Sequence, residues 1–216
     1  MPLKLHRYLQ QGGELGLWHI EEPEAYFLER MQLTEVEKQQ LSPIQGHRRL
    51  EWLAGRWLLH IMSGRDIRGA CLKDEYGKPY LENSAFDISI SHSRELAAVM
   101  AAPRPVGIDI QKIVSKIERI AHKFMRTEEM DSLQSPSRIA HLHVYWGAKE
   151  ALYKAYGRKK LEFKEHILIQ PFEFDPNGGT VEGRVTYGDF RASYQLGYEI
   201  IDAEFVLAYG KEQNRK

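Results

Sequence analysis

Val106-Gly107-Ile108-Asp109-Ile110-Gln111 is the stretch on which the reading of this chain turns. Side chains alternate across a strand, so Asp109 and Gln111 share one face while Ile108 and Ile110 are expected to face a core. Pro103-Arg104-Pro105 stands immediately before it and breaks the chain. The strand therefore opens a second half. Two α+β subdomains are expected, 1–105 and 106–216.

Working outward from that strand, both halves place a long helix before a run of strands. In the first, 3–9 and 15–20 suit short strands. Residues 23–31 and 34–41 read as helices started by Pro23 and Thr34. A long helix is expected over 43–62, where Leu50, Leu53, Ala54, Trp57, Leu58 and Ile61 recur at three- and four-residue steps. Glu75-Tyr76-Gly77-Lys78-Pro79 is a turn, and 86–91 with 96–102 form a hairpin. In the second half, 117–124 and 128–133 read as short helices. Pro136 starts a long helix ending near Gly157. Strands follow over 167–174, 181–187, 192–200 and 204–209, with a turn at Asn177-Gly178-Gly179. The tail after Gly210 is expected to fray.

The bulk properties narrow the function classes. A chain of 216 residues, 43% of them hydrophobic, supports a substantial core. Thirty basic and thirty acidic residues cancel, which gives no bulk attraction to nucleic acid or membrane, although local patches can bind phosphates. The single cysteine, Cys71, excludes an intramolecular disulfide and a thiolate metal cluster. The N-terminus has no charged-then-apolar leader, and no apolar run approaches the roughly 20 residues of a membrane span. A cytoplasmic protein is expected.

Several residues carry possible chemistry. A carboxylate beside an amide oxygen, Asp109 with Gln111, can hold a hard cation; otherwise Asp109 caps a turn and Gln111 is merely exposed. Trp146-Gly147-Ala148-Lys149-Glu150-Ala151-Leu152-Tyr153-Lys154 reads as helix, with Trp146, Glu150 and Lys154 on one stripe preceded by His143. Glu150 and Lys154 also suit a surface ion pair, worth roughly 0.2–0.5 kcal/mol. Trp146 favours burial and sets Glu150 near a partly buried wall. In Ile88-Ser89-Ile90-Ser91-His92-Ser93, hydroxyls and an imidazole can bind phosphate oxygens, or form a polar turn capped by Ser93. Lys78, between Gly77 and Pro79, is a phosphate contact or a solvated loop lysine. Arg49 and Arg56, seven apart on the long helix, bind phosphate or keep that face wet. No Gly-x-x-x-x-Gly-Lys-Ser/Thr loop is present, which argues against a P-loop nucleotide site. The absence of a Gly-x-Ser-x-Gly elbow argues against serine nucleophilic catalysis. His141 and His143 diverge on a helix, which argues against a zinc pair.

In this order, Tyr76-Gly77-Lys78-Pro79, Ile90-Ser91-His92-Ser93, Val106 to Ile110 and Trp146 to Lys154 resemble the 4′-phosphopantetheinyl transferases of the larger, surfactin-synthetase-activating type. The resemblance runs from about Arg49 to Phe163. It implies an α+β pseudo-dimer of two similar subdomains with the active site at their interface, for which a monomer suffices. It also implies transfer of phosphopantetheine from coenzyme A to a serine of an apo acyl or peptidyl carrier protein, with release of 3′,5′-ADP. By resemblance, Asp109 and Glu150 would ligate Mg²⁺, with Gln111 in the third position, where the family usually has Glu. Lys154 would stabilise the leaving phosphate, with Lys149 assisting. Ser91 and His92 would hold phosphates of coenzyme A, with Lys78 near the 3′-phosphate or adenine and Arg49 and Arg56 as further contacts. Thr127-Glu128 resembles a position whose acid organises the lysine. At Gly157-Arg158-Lys159-Lys160-Leu161 the family favours a second Gly, and the added positive charge is expected to meet an acidic carrier. A weakly catalytic binder of coenzyme A or carrier is the alternative, and an unrelated Mg²⁺-dependent phosphohydrolase a further one.

Overall fold

A computed structural model describes residues 2–9 and 12–213. The chain divides into two compact units, Met1–Arg104 and Pro105–Lys216. Each is α+β and built on an antiparallel sheet. Among the described residues, no helix is long and apolar enough to cross a membrane.

The first unit runs β1 (Leu3–Tyr8), β2 (Glu14–His19), α1 (Glu24–Arg30), α2 (Glu35–Leu41), α3 (His47–Ser63), β3 (Cys71–Lys73), β4 (Pro79–Leu81), β5 (Asp87–Ser93) and β6 (Leu96–Ala102). Its sheet order is β1-β2-β6-β5-β4-β3. The apolar stripe of α3 supplies Leu53, Ala54 and Leu58 to a core that includes Ile88, Ala97 and Val99. This helix begins at His47, later than expected, because the chain turns at Gly46, whose φ is 61°. The strands β3 and β4 are too short for alternation to reveal them; their pairing, Cys71↔Leu81 to Lys73↔Pro79, makes them strands. At α2 the sequence signal holds: Glu37 N–H donates to Thr34 Oγ1 at 3.3 Å, and Thr34 N–H donates to Glu37 Oε2 at 3.1 Å.

The second unit runs β7 (Val106–Lys112), a 3₁₀ turn (Ser115–Ile120), α4 (Ala121–Phe124), α5 (Thr127–Asp131), α6 (Arg138–Tyr156), α7 (Phe163–His166), β8 (Ile167–Ile169), β9 (Gly179–Tyr187), β10 (Phe190–Ile201) and β11 (Phe205–Glu212). The sheet order is β7-β11-β10-β9-β8. The strand expected over 167–174 stops at Ile169, since Pro171 has no N–H to give to a ladder. The tail expected to fray after Gly210 stays paired as far as Glu212, opposite Tyr194; residues 214–216 lie outside the described residues.

Helix α6 lies on β7 and β11, and its Leu142, Tyr145, Ala148 and Leu152 join Val185, Leu196 and Val206 in one core. Its approach to β7 is set by Gly107, where a Cβ would stand 1.7 Å from the carbonyl oxygen of Ala151. Backbone therefore meets backbone. This corrects the expected facing of β7. The Asp109 and Gln111 side lies under α6, while Ile108 and Ile110 on the other face are also buried.

Candidate active site

The close approach of α6 to β7 decides which polar groups meet. Asp109 is buried, and Lys154 Nζ donates to its Oδ1 at 2.8 Å and to Ile108 O at 2.9 Å. Glu150 lies one helical turn before Lys154. Burial pushes its carboxyl up to about 7; the charge of Asp109 pushes the same way and Lys154 opposes it. Two carboxylates thus feel each other beside one ammonium. Trp146, on the same stripe, is half-buried and packs edge-on to Phe124 at 4.9 Å and against Phe163 at 5.3 Å. That apolar wall explains why the stripe is desolvated.

Gln111 reaches α6 as well. Its Nε2 donates to His143 O at 3.1 Å, and its Oε1 lies 3.1 Å from His143 Nδ1. Val114 N–H donates to His143 Nε2 at 2.9 Å. His141 points elsewhere, into rings of Tyr145, Phe172 and Phe174, and is fully buried. Burial pulls its imidazole down to about 4.

The structure places Lys149 away from the phosphate role expected of it. Its side chain is fully buried, and Nζ donates to Phe124 O at 2.6 Å, Ile167 O at 3.0 Å and Phe163 O at 3.3 Å. It also pairs with Glu129 Oε2 at 2.7 Å. Burial lowers the Lys149 pKa and Glu129 opposes that shift. The acid organising this lysine is therefore Glu129, one residue beyond the position expected. Glu129 also accepts from Arg126 N–H at 2.7 Å and Ile169 N–H at 2.9 Å.

The donor set fits a hard divalent cation. Mg²⁺ commonly takes one or two protein carboxylates and fills its shell with waters and substrate phosphates. Asp109 and Glu150 meet that need. Among the described residues, no group of three or more His, Cys, Asp or Glu gathers into a metal cluster.

Residues 105–209 match the family profile described as the 4′-phosphopantetheinyl transferase superfamily. The second unit belongs to this superfamily. Two curated relatives agree. A "4′-phosphopantetheinyl transferase gsp" of Aneurinibacillus migulanus is 33% identical over 132 residues, 59% of this chain and 52% of the relative. A "4′-phosphopantetheinyl transferase" of Bacillus subtilis is 31% identical over 88 residues, 39% of each chain. The matched stretches thus span about half of the first relative and less of the second.

Outside the superfamily unit, the first unit sorts its own candidates. His92 Nδ1 lies 3.0 Å from Glu51 Oε2, at the edge of a cleft of ≈ 670 Å³ lined by Gln45, Arg48, Glu51, Trp52, Lys73 and His92 among others. Strand alternation turns Ser91 to the opposite face from His92, and Ser91 is buried. Lys78 Nζ pairs with Asp87 Oδ2 at 2.6 Å. Arg49 turns inward: it grips Glu24 at 2.6 Å and donates to Leu41 O and Ile44 O. Arg56 is buried, with its guanidinium 3.4 Å from the Trp52 ring centre. Both arginines are thus engaged inside the first unit, Arg49 with Glu24 of α1 and Arg56 with Gln40 of α2 at 3.4 Å. Arg48 and Lys73 face the cleft instead. Sequence reasoning missed Arg48 because only helical phase separates it from Arg49, and Lys73 because its strand is three residues long.

Proposed function

We propose that the protein transfers 4′-phosphopantetheine from coenzyme A to a serine hydroxyl of an apo acyl or peptidyl carrier protein, in a Mg²⁺-dependent reaction that releases 3′,5′-ADP. The observation that carries this reading is the grouping of Asp109, Glu150 and Lys154 within a unit of the superfamily. The serine oxygen forms a bond to the phosphorus that bears pantetheine, and the bond from that phosphorus to the oxygen of 3′,5′-ADP breaks. Glu150 accepts the serine proton, because an un-ionised hydroxyl is a poor nucleophile. Lys154, held by Asp109 and the Ile108 carbonyl, presents positive charge to the departing phosphate. When bound at Asp109 and Glu150, Mg²⁺ neutralises charge on the pyrophosphate oxygens.

For the nucleotide end of coenzyme A we assign the first-unit cleft with Arg48, Lys73 and His92, and Lys78 as a further phosphate contact; Ser91, buried on the opposite strand face, is left out of it. The exposed run Arg158-Lys159-Lys160 is the surface assigned to an acidic carrier. Incubation with coenzyme A, Mg²⁺ and an apo carrier, followed by intact-mass measurement, tests the reading. A phosphopantetheine mass gain on the carrier supports it. Binding without a gain points to the weakly catalytic relative, which the neutral Gln111 favours. Phosphate release from simple esters without carrier modification points to a phosphohydrolase.

A further inference from the structure

We propose that Gln111 is a positioning residue and not a cation ligand: its amide is locked onto His143, and the lock holds the Asp109 end of β7 against the Glu150 face of α6. The inference rests on the transferase reading of the Asp109, Glu150 and Lys154 centre.

The hydrogen bonds admit one consistent arrangement. Val114 N–H can only donate, so His143 Nε2, 2.9 Å away, accepts and the ring proton sits on Nδ1. That proton points to Gln111 Oε1 at 3.1 Å, while Gln111 Nε2 donates to His143 O at 3.1 Å. The opposite tautomer would keep only the 3.1 Å contact from Nε2 to Val114 O and set Val114 N–H against another N–H. Turning the amide over would set oxygen against the His143 carbonyl. His143 is 3% exposed, so water does not relieve such mismatches.

Gly147 makes the lock possible. A Cβ there would stand 3.0 Å from Gln111 Nε2 and 3.1 Å from Ala208 Cβ. The bare Cα leaves an opening through which the amide reaches the helix backbone. A carboxylate at position 111 would bring a proton-less oxygen to the His143 carbonyl, so the surroundings suit an amide and not a third acid. The remaining lone pair of Oε1 is that of a neutral amide, and a Mg²⁺ centre that keeps several waters gains little by exchanging one for it.

Mn²⁺ titration followed by electron paramagnetic resonance, transfer kinetics and ¹⁵N imidazole shifts test the lock. In the wild-type protein His143 is expected as the Nδ1–H tautomer. Gln111→Ala is expected to keep the Mn²⁺ Kd within about threefold and the coenzyme A KM within about threefold, while kcat falls about tenfold through lost positioning. His143→Asn, whose amide restores a donor to Oε1, is expected to keep kcat within about threefold, whereas His143→Leu falls about tenfold. A Kd weakened by more in Gln111→Ala, or tightened by more in Gln111→Glu, makes residue 111 a ligand and overturns the proposal. So does an unchanged kcat in Gln111→Ala, or an Nε2–H tautomer in the wild type. If the wild type neither binds Mn²⁺ nor modifies a carrier, the transferase reading falls instead, and the tautomer still reports on the lock itself.

Discussion

Replacing His141 with Phe should flatten the acid limb of this protein's stability. His141 is fully buried, its ring stacks on Tyr145 at 5.2 Å and meets Phe172 edge-on at 4.6 Å, and Nε2 has no hydrogen-bond partner among the described residues. Burial lowers the imidazole from 6.5 to about 4. The folded-state pKa thus lies below the unfolded one. The stability contribution is complete above pH 6.5 and is lost as pH falls toward 4, because only the unfolded chain takes the proton. Each pKa unit is worth about 1.4 kcal/mol, so the wild type should lose roughly 2 kcal/mol between pH 7 and pH 4.5 through this residue alone. Phe fits the same aromatic box and carries no proton. It gives up the 3.4 Å contact from Gln134 N–H, an offset that does not depend on pH. Urea unfolding of both proteins at the two pH values isolates the effect, since every other titrating group cancels in the difference. A wild-type minus variant gap that changes by less than about 0.5 kcal/mol between pH 7 and 4.5 would refute the reasoning.

Other perturbations follow from packing and charge. Gly107→Ala drives a methyl group into the Ala151 carbonyl, and a loss of more than about 3 kcal/mol, or failure to fold, is expected by chemical denaturation. Lys149→Met strands the buried Glu129 carboxylate and should cost about 3–5 kcal/mol, and adding Glu129→Leu should recover part of that loss in the same measurement. Glu150→Gln should lower the rate of carrier modification at least about 100-fold without lowering the thermal midpoint, as read by intact mass and circular dichroism. Replacing Lys159 and Lys160 together with Ala should raise the carrier KM at low salt and leave the coenzyme A KM unchanged, the difference fading as salt is added.

Much of the architecture was legible because it is written in local periodicity. The apolar steps along α3, the Thr34 cap and the alternation in β5 and β7 each need only neighbours in sequence. Helical spacing put Glu150 and Lys154 on one stripe, and the family resemblance, not spacing, set Asp109 beside them. The errors arise where tertiary partners decide. Lys149 and Lys154 look equivalent in a list of residues, yet their helical phase sends one into the core to Glu129 and the other to Asp109. Arg48 and Arg49 part in the same way, one lining the cleft and the other clasping Glu24. Which face of β7 lies under α6 was hidden because it depends on a missing side chain at Gly107. No spacing rule announces that Gln111 will find the carbonyl of His143, 32 residues away.

The contact of Gly107 with Ala151 also governs where the chain can change length. With backbone laid on backbone, α6 has a fixed origin on β7, and Glu150 and Lys154 are measured from it. Residues added between α5 and α6, or between α6 and α7, alter only connections that start beyond that origin. One residue inserted between Ala151 and Lys154 turns the downstream helix by about 100° and moves it about 1.5 Å along its axis, which carries the ammonium off Asp109. Length variation in this unit therefore belongs in the loops at either end of α6, and the stretch from Gly147 to Lys154 has a set count of residues.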